Sequence, residues 1–458
     1  MNRAFIFKII GMLVLITLMS IAVGYVNGII LERQQRQNEV KAQIAKNSAG
    51  EQTIVGPVLM VPYTEEYPHT TGEGKDKKTE LIREEHLTYV LPENLTVRGS
   101  FSNEFKKLGI YKALSYQLGG DIKGDFRIPA NFNLSPEHAN GIIIFKPAYL
   151  SIGISDSRGI YGKPVLTWQN KTFKFLQGSQ LKALGNGIHA NIGLTDVVAE
   201  QTIPFAFNLN LRGMENFNFT PIADNNQIAL QSSWQHPHFG GSFLPEASSQ
   251  KINAGGFSAN WAVSSLASSN QAQLASLLEN SNSNQTLESL SIGFVEPINV
   301  YSQADRATKY GLLFIGLTFA GFFIFELMKQ LRIHPAQYTM VGLAMAMFYL
   351  LLISLAEQLS FALAYFIASA ACVLLLGYYL SFVLKSKAHG TLFAVMLTAL
   401  YGALYGILAS EDNALIMGSL LVFGLLALVM VITRRVDWYQ IGSKPAPSTH
   451  ADHNEYTA

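Results

Sequence analysis

The sequence predicts a polytopic α-helical membrane protein with six transmembrane helices and one large all-β or β-rich sandwich domain. Its 458 residues are 49% hydrophobic and only 14% charged, whereas soluble domains carry about 25% charged residues. The long apolar runs lie at the two ends of the chain, and the stretch between them has the composition of a soluble domain. A chain of this length can hold both kinds of domain.

Six apolar runs are long enough to cross a bilayer, which takes about 20 residues as a helix. The first run covers residues 9–31 and follows Arg3 and Lys8. A secretory signal peptide is the alternative for it, but the usual apolar region of such a peptide has about 7–15 residues. We therefore predict an uncleaved anchor helix. The other five runs cover residues 310–328, 338–356, 361–384, 391–409 and 414–433.

Lysine and arginine between the runs predict the orientation, because basic residues accumulate on the cytoplasmic side. With Arg3 and Lys8 inside, every other basic linker also falls inside, and the two linkers without Lys or Arg fall outside. Both termini are thus predicted to be cytoplasmic, with residues 32–308 outside. The inside linkers carry Lys329, Arg332, Lys385, Lys387, Arg434 and Arg435.

The pattern predicts five segments. Residues 1–31 are the cytoplasmic N-terminus and anchor, residues 32–50 a polar helical stalk that continues the anchor helix until Gly50 ends it, and residues 51–308 the β-rich domain. In that domain, short runs of β-branched and aromatic residues alternate with Gly and Pro, which is typical of strands and turns. Residues 309–435 form a five-helix transmembrane bundle, and residues 436–458 form a polar, largely disordered tail.

Two pairs of polar residues are candidate ligand-binding residues of the β-rich domain. His236 and His238 lie two apart, so on a strand both imidazoles face one way, but a metal site needs a third or fourth ligand that spacing does not supply. We therefore predict no metal. Asp156 and Arg158 could bind a ligand as a carboxylate–guanidinium pair, although the surrounding Gly-rich sequence favours a tight turn with a local ion pair.

Carboxylates near the ends of the apolar runs are candidates for contacts between the bundle and the β-rich domain. Glu357, Glu411 and Asp412 are predicted at the external rim, facing Arg306. Glu326 is three residues from Lys329, on the same helix face, and pairing with that lysine explains it. A transport site typically lies near the midplane of the membrane, and no run has a carboxylate, His or Arg there.

The chain lacks the sequence patterns of the common catalytic sites. Ser248 and Lys251 have the spacing of a serine nucleophile motif, but the partner motifs of that class are absent. We predict no enzyme activity and no cofactor. A nucleic-acid partner is excluded because the charge is nearly balanced, at +1. The expected partner is the lipid bilayer, and the spacing of Gly402 and Gly406 permits a homo-oligomer.

Several long segments together resemble the inner-membrane protein CreD family, also called cell envelope integrity proteins. They include YSQADRATKYGLLFIGLTF, LYGALYGILASEDNAL, TRRVDWY, GISDSRGIYG and SWQHPHFGGSFLPE. The resemblance implies a Gram-negative inner membrane, with the β-rich domain in the periplasm. It also implies membership of the regulon of a two-component system, with roles in envelope maintenance and in sensitivity to colicins and β-lactams. It implies no catalytic residues.

Three functional hypotheses follow. The first is a non-enzymatic envelope-stress protein whose periplasmic domain binds an envelope protein or a cell-wall ligand. The second is a transporter or channel component, with a path lined by Tyr401, Tyr405, Glu357 and Glu411. The third is a periplasmic hydrolase. A deep groove near Asp156 or His236 would favour ligand binding, and a flat apolar patch would favour a protein partner.

Overall fold

A computed structural model describes residues 3–71, 77–180, 185–195, 197–279, 286–296, 299–328, 333–410 and 414–434. Its helices are α1 (Arg3–Asn47), α2 (Asn270–Glu279), α3 (Val300–Met328), α4 (Pro335–Ala356), α5 (Phe361–Val383), α6 (Lys387–Ala409) and α7 (Ala414–Thr433). The chain divides into two compact units. We call Met1–Arg36 with Ile298–Ala458 the helical unit, and Gln37–Pro297 the β domain.

The helical unit contains the long apolar helices that the hydropathy pattern predicts. Five helices in the described part of the chain are long and apolar enough to cross a membrane, namely α1, α3, α4, α5 and α6. The sixth predicted run forms α7, a helix of 20 residues, and its crossing stays a prediction. The prediction of several apolar helices joined to a β-rich domain is confirmed.

Helix α1 belongs to both units. It has 45 residues, and at about 1.5 Å per residue it is roughly 67 Å long, about twice the thickness of the hydrocarbon core. The predicted anchor and stalk are therefore one uninterrupted helix, because residues 32–47 contain no Gly or Pro to break it. The division between the compact units falls inside this helix, after Arg36.

Close packing inside the helical unit depends on a glycine in α4. A Cβ atom at Gly342 would lie 2.7 Å from Sδ of Met19 in α1 and 2.8 Å from Cζ of Phe319 in α3. Three helices can therefore approach at this point because Gly342 has no side chain. Met19 and Phe319 are both buried.

The β domain is a sandwich of two mixed sheets. The strands are β1 (Gln52–Thr71), β2 (Lys78–Val90), β3 (Asn94–Leu108), β4 (Tyr111–Ile128), β5 (Ile142–Phe145), β6 (Tyr149–Ile154), β7 (Val165–Trp168), β8 (Lys171–Lys174), β9 (Leu176–Gln177), β10 (Gly187–Asn191), β11 (Gln201–Met214), β12 (Asn216–Thr220), β13 (Asn225–Ser232), β14 (Pro237–Gly241), β15 (Lys251–Asn253), β16 (Gly256–Ser264) and β17 (Leu290–Phe294).

Two sheets form from these strands. The nine-stranded sheet has the order β14-β17-β12-β1-β6-β10-β9, with β2 and β5 also paired to β1. The eight-stranded sheet has the order β15-β16-β13-β3-β4-β11-β7-β8. Most pairs are antiparallel, but β1 pairs with β12 and β3 pairs with β13 in parallel. The alternating strand β11 shows how the core forms, since every second side chain from Ile203 to Leu211 is buried.

The core lies between the inner faces of the two sheets and is rich in aromatic rings. Phe101 makes edge-on contacts with Tyr116, Phe217 and Phe294, at ring-centroid distances of 5.1–5.4 Å. The hydroxyl of Tyr116 donates to the carbonyl of Asn216, so this buried tyrosine satisfies its polar atom. The β-rich fold predicted for this domain is confirmed, and the domain also contains the ten-residue helix α2.

Candidate functional site

Asp156 and Arg158, the first pair of predicted ligand-binding residues, form a turn that holds the end of α1. The carboxylate of Asp156 accepts hydrogen bonds from Nε and Nη2 of Arg158, at 2.9 and 2.6 Å, and from the backbone N–H of Gly50, at 3.2 Å. The second amino group of Arg158, Nη1, donates to the carbonyl of Lys46 in the last turn of α1. A cation at this helix end is favourable because the helix dipole is negative there.

The pKa values of this pair follow from the contact. Hydrogen bonding to the Arg158 guanidinium, together with the N–H groups of Gly50 and Arg158, holds the pKa of Asp156 below its usual range. The pKa of Arg158 is raised by the same carboxylate. Both groups are thus charged at neutral pH, and each is paired with the other in an ion pair. We call this arrangement of Asp156, Arg158, Lys46 and Gly50 the α1 clasp.

A cleft of about 510 Å³ lies beside the α1 clasp, where the two sheets of the sandwich meet. Strand β8 ends the eight-stranded sheet and β9 ends the nine-stranded sheet, so the chain crosses between the sheets at Phe175. Ser157 and Ile160, which flank Arg158, line one wall of the cleft. The loop that contains the predicted ion pair is therefore also a wall of this cavity.

The cleft is lined mainly by apolar side chains and carries two basic ones. Val165, Phe175, Leu176 and Ile188 line it together with Ile160, and Lys163 and Lys174 are its charged residues. None of the described lining residues is acidic. Sequence reasoning missed the two lysines, since no motif connects them. Lys163 does immediately follow the segment 153–162, which the sequence singled out.

His236 and His238 lie elsewhere, at the opposite end of the nine-stranded sheet. His238 belongs to β14 and pairs with Gly293 of β17, and the carbonyl of His236 accepts from the indole of Trp234 at 3.2 Å. Both side chains are exposed. In the described ranges, no group of three or more His, Cys, Asp or Glu side chains is placed to hold a metal ion. The two histidines are not brought together with Asp156 and Arg158.

A cluster of titratable groups on the β1–β2 ribbon was not found from the sequence. Glu65 of β1 has a side chain only 2% exposed, and its Oε1 accepts from the backbone N–H of His138 at 2.9 Å. Nδ1 of His138 lies 3.4 Å from Oε2 of Glu65, and its ring stacks on Tyr67 at 3.7 Å. The hydrogen bond from the His138 backbone is the main cause that lowers the pKa of Glu65.

We predict that Glu65 makes the β domain sensitive to acid. A carboxyl whose folded pKa is below its unfolded value, about 4.3 for Glu, stabilises the fold above that pH. The contribution is lost as the pH falls through the folded pKa. Glu65→Gln is therefore expected to lower the melting temperature at pH 7, with the difference from wild type narrowing below about pH 4.

Thermal denaturation of the full-length protein in detergent, between pH 7 and pH 3, measures this effect. Glu80→Gln is the matched control, because Glu80 is an exposed glutamate of the neighbouring strand β2. Equal pH profiles for wild type and Glu65→Gln would contradict the prediction.

In the helical unit, Glu357 contacts residues of the same unit. It lies 3.6 Å from Nε of Arg33 in α1, and it accepts a hydrogen bond from the hydroxyl of Tyr301 in α3 at 3.3 Å. Arg306 lies in α3. The other two residues of the predicted docking set, Glu411 and Asp412, lie outside the described residues. A docking surface between bundle and β domain stays a prediction.

Glu326 is fully buried and connects three segments of the helical unit. It forms an ion pair with Lys8 of α1. The hydroxyl of Tyr338 donates to Oε2 at 2.9 Å, and the backbone N–H of Ile333 donates to Oε1 at 2.9 Å. Lys329, the partner predicted from spacing, lies outside the described residues, as do Arg332 and Arg435.

The two ion pairs show which ends of helices α1 and α3 lie side by side. Lys8 and Glu326 meet at one end of α1 and α3, and Arg33, Tyr301 and Glu357 meet at the other. This is the antiparallel arrangement that the charge pattern requires of the first two runs. Of the residues that the transporter hypothesis grouped together, Tyr401 and Tyr405 line an apolar groove of about 590 Å³ on α5 and α6, and Glu357 is not part of its lining. Glu411 lies outside the described residues.

Comparison with known proteins identifies the family. The sequence profile described as "Inner membrane protein CreD" matches residues 4–439. The chain belongs to the CreD family. It is 34% identical to the inner membrane protein CreD of Escherichia coli (strain K12) over 424 residues, which is 93% of this chain and 91% of that protein. The chain is therefore a multi-pass inner-membrane protein of the cell envelope, and the resemblance noted in the sequence is confirmed.

Two solved structures show only weak likeness. One is an M1 zinc metallopeptidase from Deinococcus radiodurans, 7% identical, with 44% of this chain and 42% of that chain covered and a TM-score of 0.20. The other is a nutrient-binding protein from Legionella pneumophila, 11% identical, with 48% and 79% covered and a TM-score of 0.23. Neither likeness supports an argument about fold or function in this CreD family member.

Proposed function

We propose that this CreD family protein is a non-enzymatic envelope-integrity protein of a two-component regulon, whose β domain binds an envelope ligand in the cleft beside the α1 clasp. The cleft is the observation that carries the proposal. Its volume of about 510 Å³ lies in the range of small-molecule sites, which are mostly apolar with a few polar groups. No catalytic constellation was found from the sequence, and the proposal needs none.

The proposal places both termini in the cytoplasm and residues 32–308 in the periplasm. The basic residues flanking the helices support this orientation. The antiparallel meeting of Lys8 with Glu326, and of Arg33 with Glu357, supports the same alternation of helix ends. The cleft would then face the periplasm, where ligands derived from the envelope are accessible.

The wall of the cleft offers a route by which a bound ligand affects the membrane part. Ser157 and Ile160 line the cavity, while Asp156 and Arg158, in the same loop, hold Gly50 and the last turn of α1. Helix α1 continues without a break into the helical unit. A ligand that changes the loop therefore changes the support of a membrane-spanning helix.

One experiment tests both the topology and the role of the cleft. Cys372 is buried, so Val165→Cys introduces one reactive thiol at the wall of the cleft. A membrane-impermeant maleimide small enough to pass the outer-membrane porins should label this cysteine in intact cells. The attached group should then fill the cleft and abolish the protein's effect on envelope permeability, measured as entry of a chromogenic β-lactam into complemented deletion cells.

Thr167→Cys is the matched control, because Thr167 is exposed on the same strand and does not line the cleft. It should be labelled equally and keep full function. Labelling of either cysteine only after the inner membrane is opened would reject the proposed topology. Labelling of Val165→Cys without loss of function would reject the role of the cleft.

A further inference from the structure

The residues that line the cleft indicate a class of ligand, and this inference rests on the proposed function. Its apolar wall is partly exposed, since Val165 is 45% and Leu176 is 49% exposed at the mouth. Ile188 is buried deeper, at 6% exposure. The apolar surface thus continues from the mouth inward, as required for an apolar chain that enters lengthwise.

The basic residues lie beside the same apolar wall. Lys174 of β8 is the direct cross-strand partner of Val165 in β7, which places their side chains on one face about 5 Å apart at Cβ. Lys163 is two residues before Val165 and also lines the cleft. Both lysines are exposed, so their amino groups can bind at the mouth while the alkyl stems add to the apolar wall.

Charge complementarity then limits the head group of the ligand. With two ammonium groups and no acidic side chain among the described lining residues, the mouth favours an anion and disfavours a cation. Asp156 is the nearest carboxylate along the chain, and Arg158 already neutralises it. A lysine binds phosphate or carboxylate as a point charge with three donors.

We infer that the cleft binds a single-chain anionic amphiphile, with its acyl chain along Ile160, Val165, Leu176 and Ile188 and its head group at Lys163 and Lys174. A carboxylate and a phosphate head group share this chemistry. A free fatty acid and a monoacyl phospholipid are the two sources of such a ligand.

The test uses the full-length protein in nanodiscs and four photoactivatable probes with the same twelve-carbon chain. Their head groups are a carboxylate, a phosphate monoester, an uncharged hydroxyl and a trimethylammonium. Crosslinked peptides are mapped by mass spectrometry. The two anionic probes should label the segment from Lys163 to Gln177 and Ile188, and the neutral and cationic probes should label it weakly. The ratio of carboxylate to phosphate labelling distinguishes the two sources.

The double variant Lys163→Gln with Lys174→Gln should weaken saturable labelling by the anionic probes by at least tenfold, because it removes both charge-assisted hydrogen bonds to the head group. Lys123→Gln with Lys171→Gln is the matched control, since both of these lysines are exposed and lie outside the cleft. Unchanged melting temperatures establish that the variants fold.

The outcomes separate this inference from the proposed function. Equal labelling of the cleft by neutral and anionic probes, or no effect of the double lysine variant, would overturn the ligand class and leave cleft binding intact. Absence of cleft labelling by all four probes would overturn the ligand class, and the maleimide experiment would still decide the role of the cleft. Labelling spread evenly over the protein would show partition from the lipid and would also overturn the inference.

Discussion

Replacing Glu326 with alanine is expected to destabilise the helical unit by about 3 kcal/mol, the lower end of the range of about 3–5 kcal/mol for removing one partner of a buried ion pair, because the Lys8 side chain is 35% exposed. The carboxylate accepts from Lys8, the Tyr338 hydroxyl and the Ile333 backbone. Alanine leaves these three donors without their acceptor, at a site where Glu326 is 2% exposed. Thermal unfolding of the detergent-purified protein measures the loss.

Two further variants make this prediction specific. Glu357→Ala removes the more exposed pair with Arg33, whose side chain is 48% exposed, and the hydrogen bond from the Tyr301 hydroxyl, and should cost only about 1 kcal/mol. Lys8→Met combined with Glu326→Leu replaces both charges by apolar groups and should recover part of the stability lost in Glu326→Ala. If the double variant is no more stable than Glu326→Ala, the unpaired charge of Lys8 does not cause the loss of stability in Glu326→Ala.

Replacing Asp156 with alanine is expected to destabilise the β domain by about 2 kcal/mol, since charge-assisted hydrogen bonds contribute about 1.5–3 kcal/mol and this site is partly solvated. The variant removes the acceptor of both Arg158 and the Gly50 N–H. The residues joining α1 to β1 should then become accessible to protease, which limited proteolysis followed by mass spectrometry detects.

Glu200→Ala is the control for the Asp156 variant, because its pair with Arg127 is exposed on both sides, at 59% and 55%. It should have little effect on the melting temperature and none on cleavage near residue 50. Asp156→Asn keeps one acceptor and should lie between wild type and alanine. If Asp156→Ala behaves as Glu200→Ala does, the α1 clasp does not hold the helix end.

The membrane part could be predicted closely because its signals are local in the chain. Each apolar run is set by the thickness of the bilayer, and the helices α3–α6 begin and end within a few residues of the predicted runs except at the start of α3. That helix begins at Val300 because residues 300–309 are polar but contain no helix breaker. Hydropathy detects only the apolar part of such a helix.

The β domain was predictable as a class but not as a topology. Alternation in β11 identifies a half-buried strand, but nothing in a single strand names its neighbour. The parallel pairs of β1 with β12 and of β3 with β13 join segments more than 100 residues apart. Such pairings depend on which faces bury each other, which is a property of the whole sandwich.

The candidate sites show the same limit. Local reasoning explained Asp156 and Arg158 as a turn with an ion pair, and it could not find the bond from Arg158 to Lys46, which lies 112 residues earlier. It paired Glu326 with a neighbour on its own helix, whereas the ion pair that the structure describes joins residues 318 apart. The lysines of the cleft carried no signal, because exposed lysines are common on any surface.

The sequence by itself determined the class of the protein, its membrane runs, the β-rich character of the domain and the family. These follow from hydropathy, from two-residue alternation and from a long ordered set of matching segments, all of which are local. The continuity of anchor and stalk also follows from the sequence, because residues 32–47 contain no Gly or Pro. Only the tertiary structure decided that the predicted ligand pair holds the end of α1, and that a basic, apolar cleft lies beside it. The reason is physical, since ion pairs and clefts form between residues that only folding brings within a few ångströms.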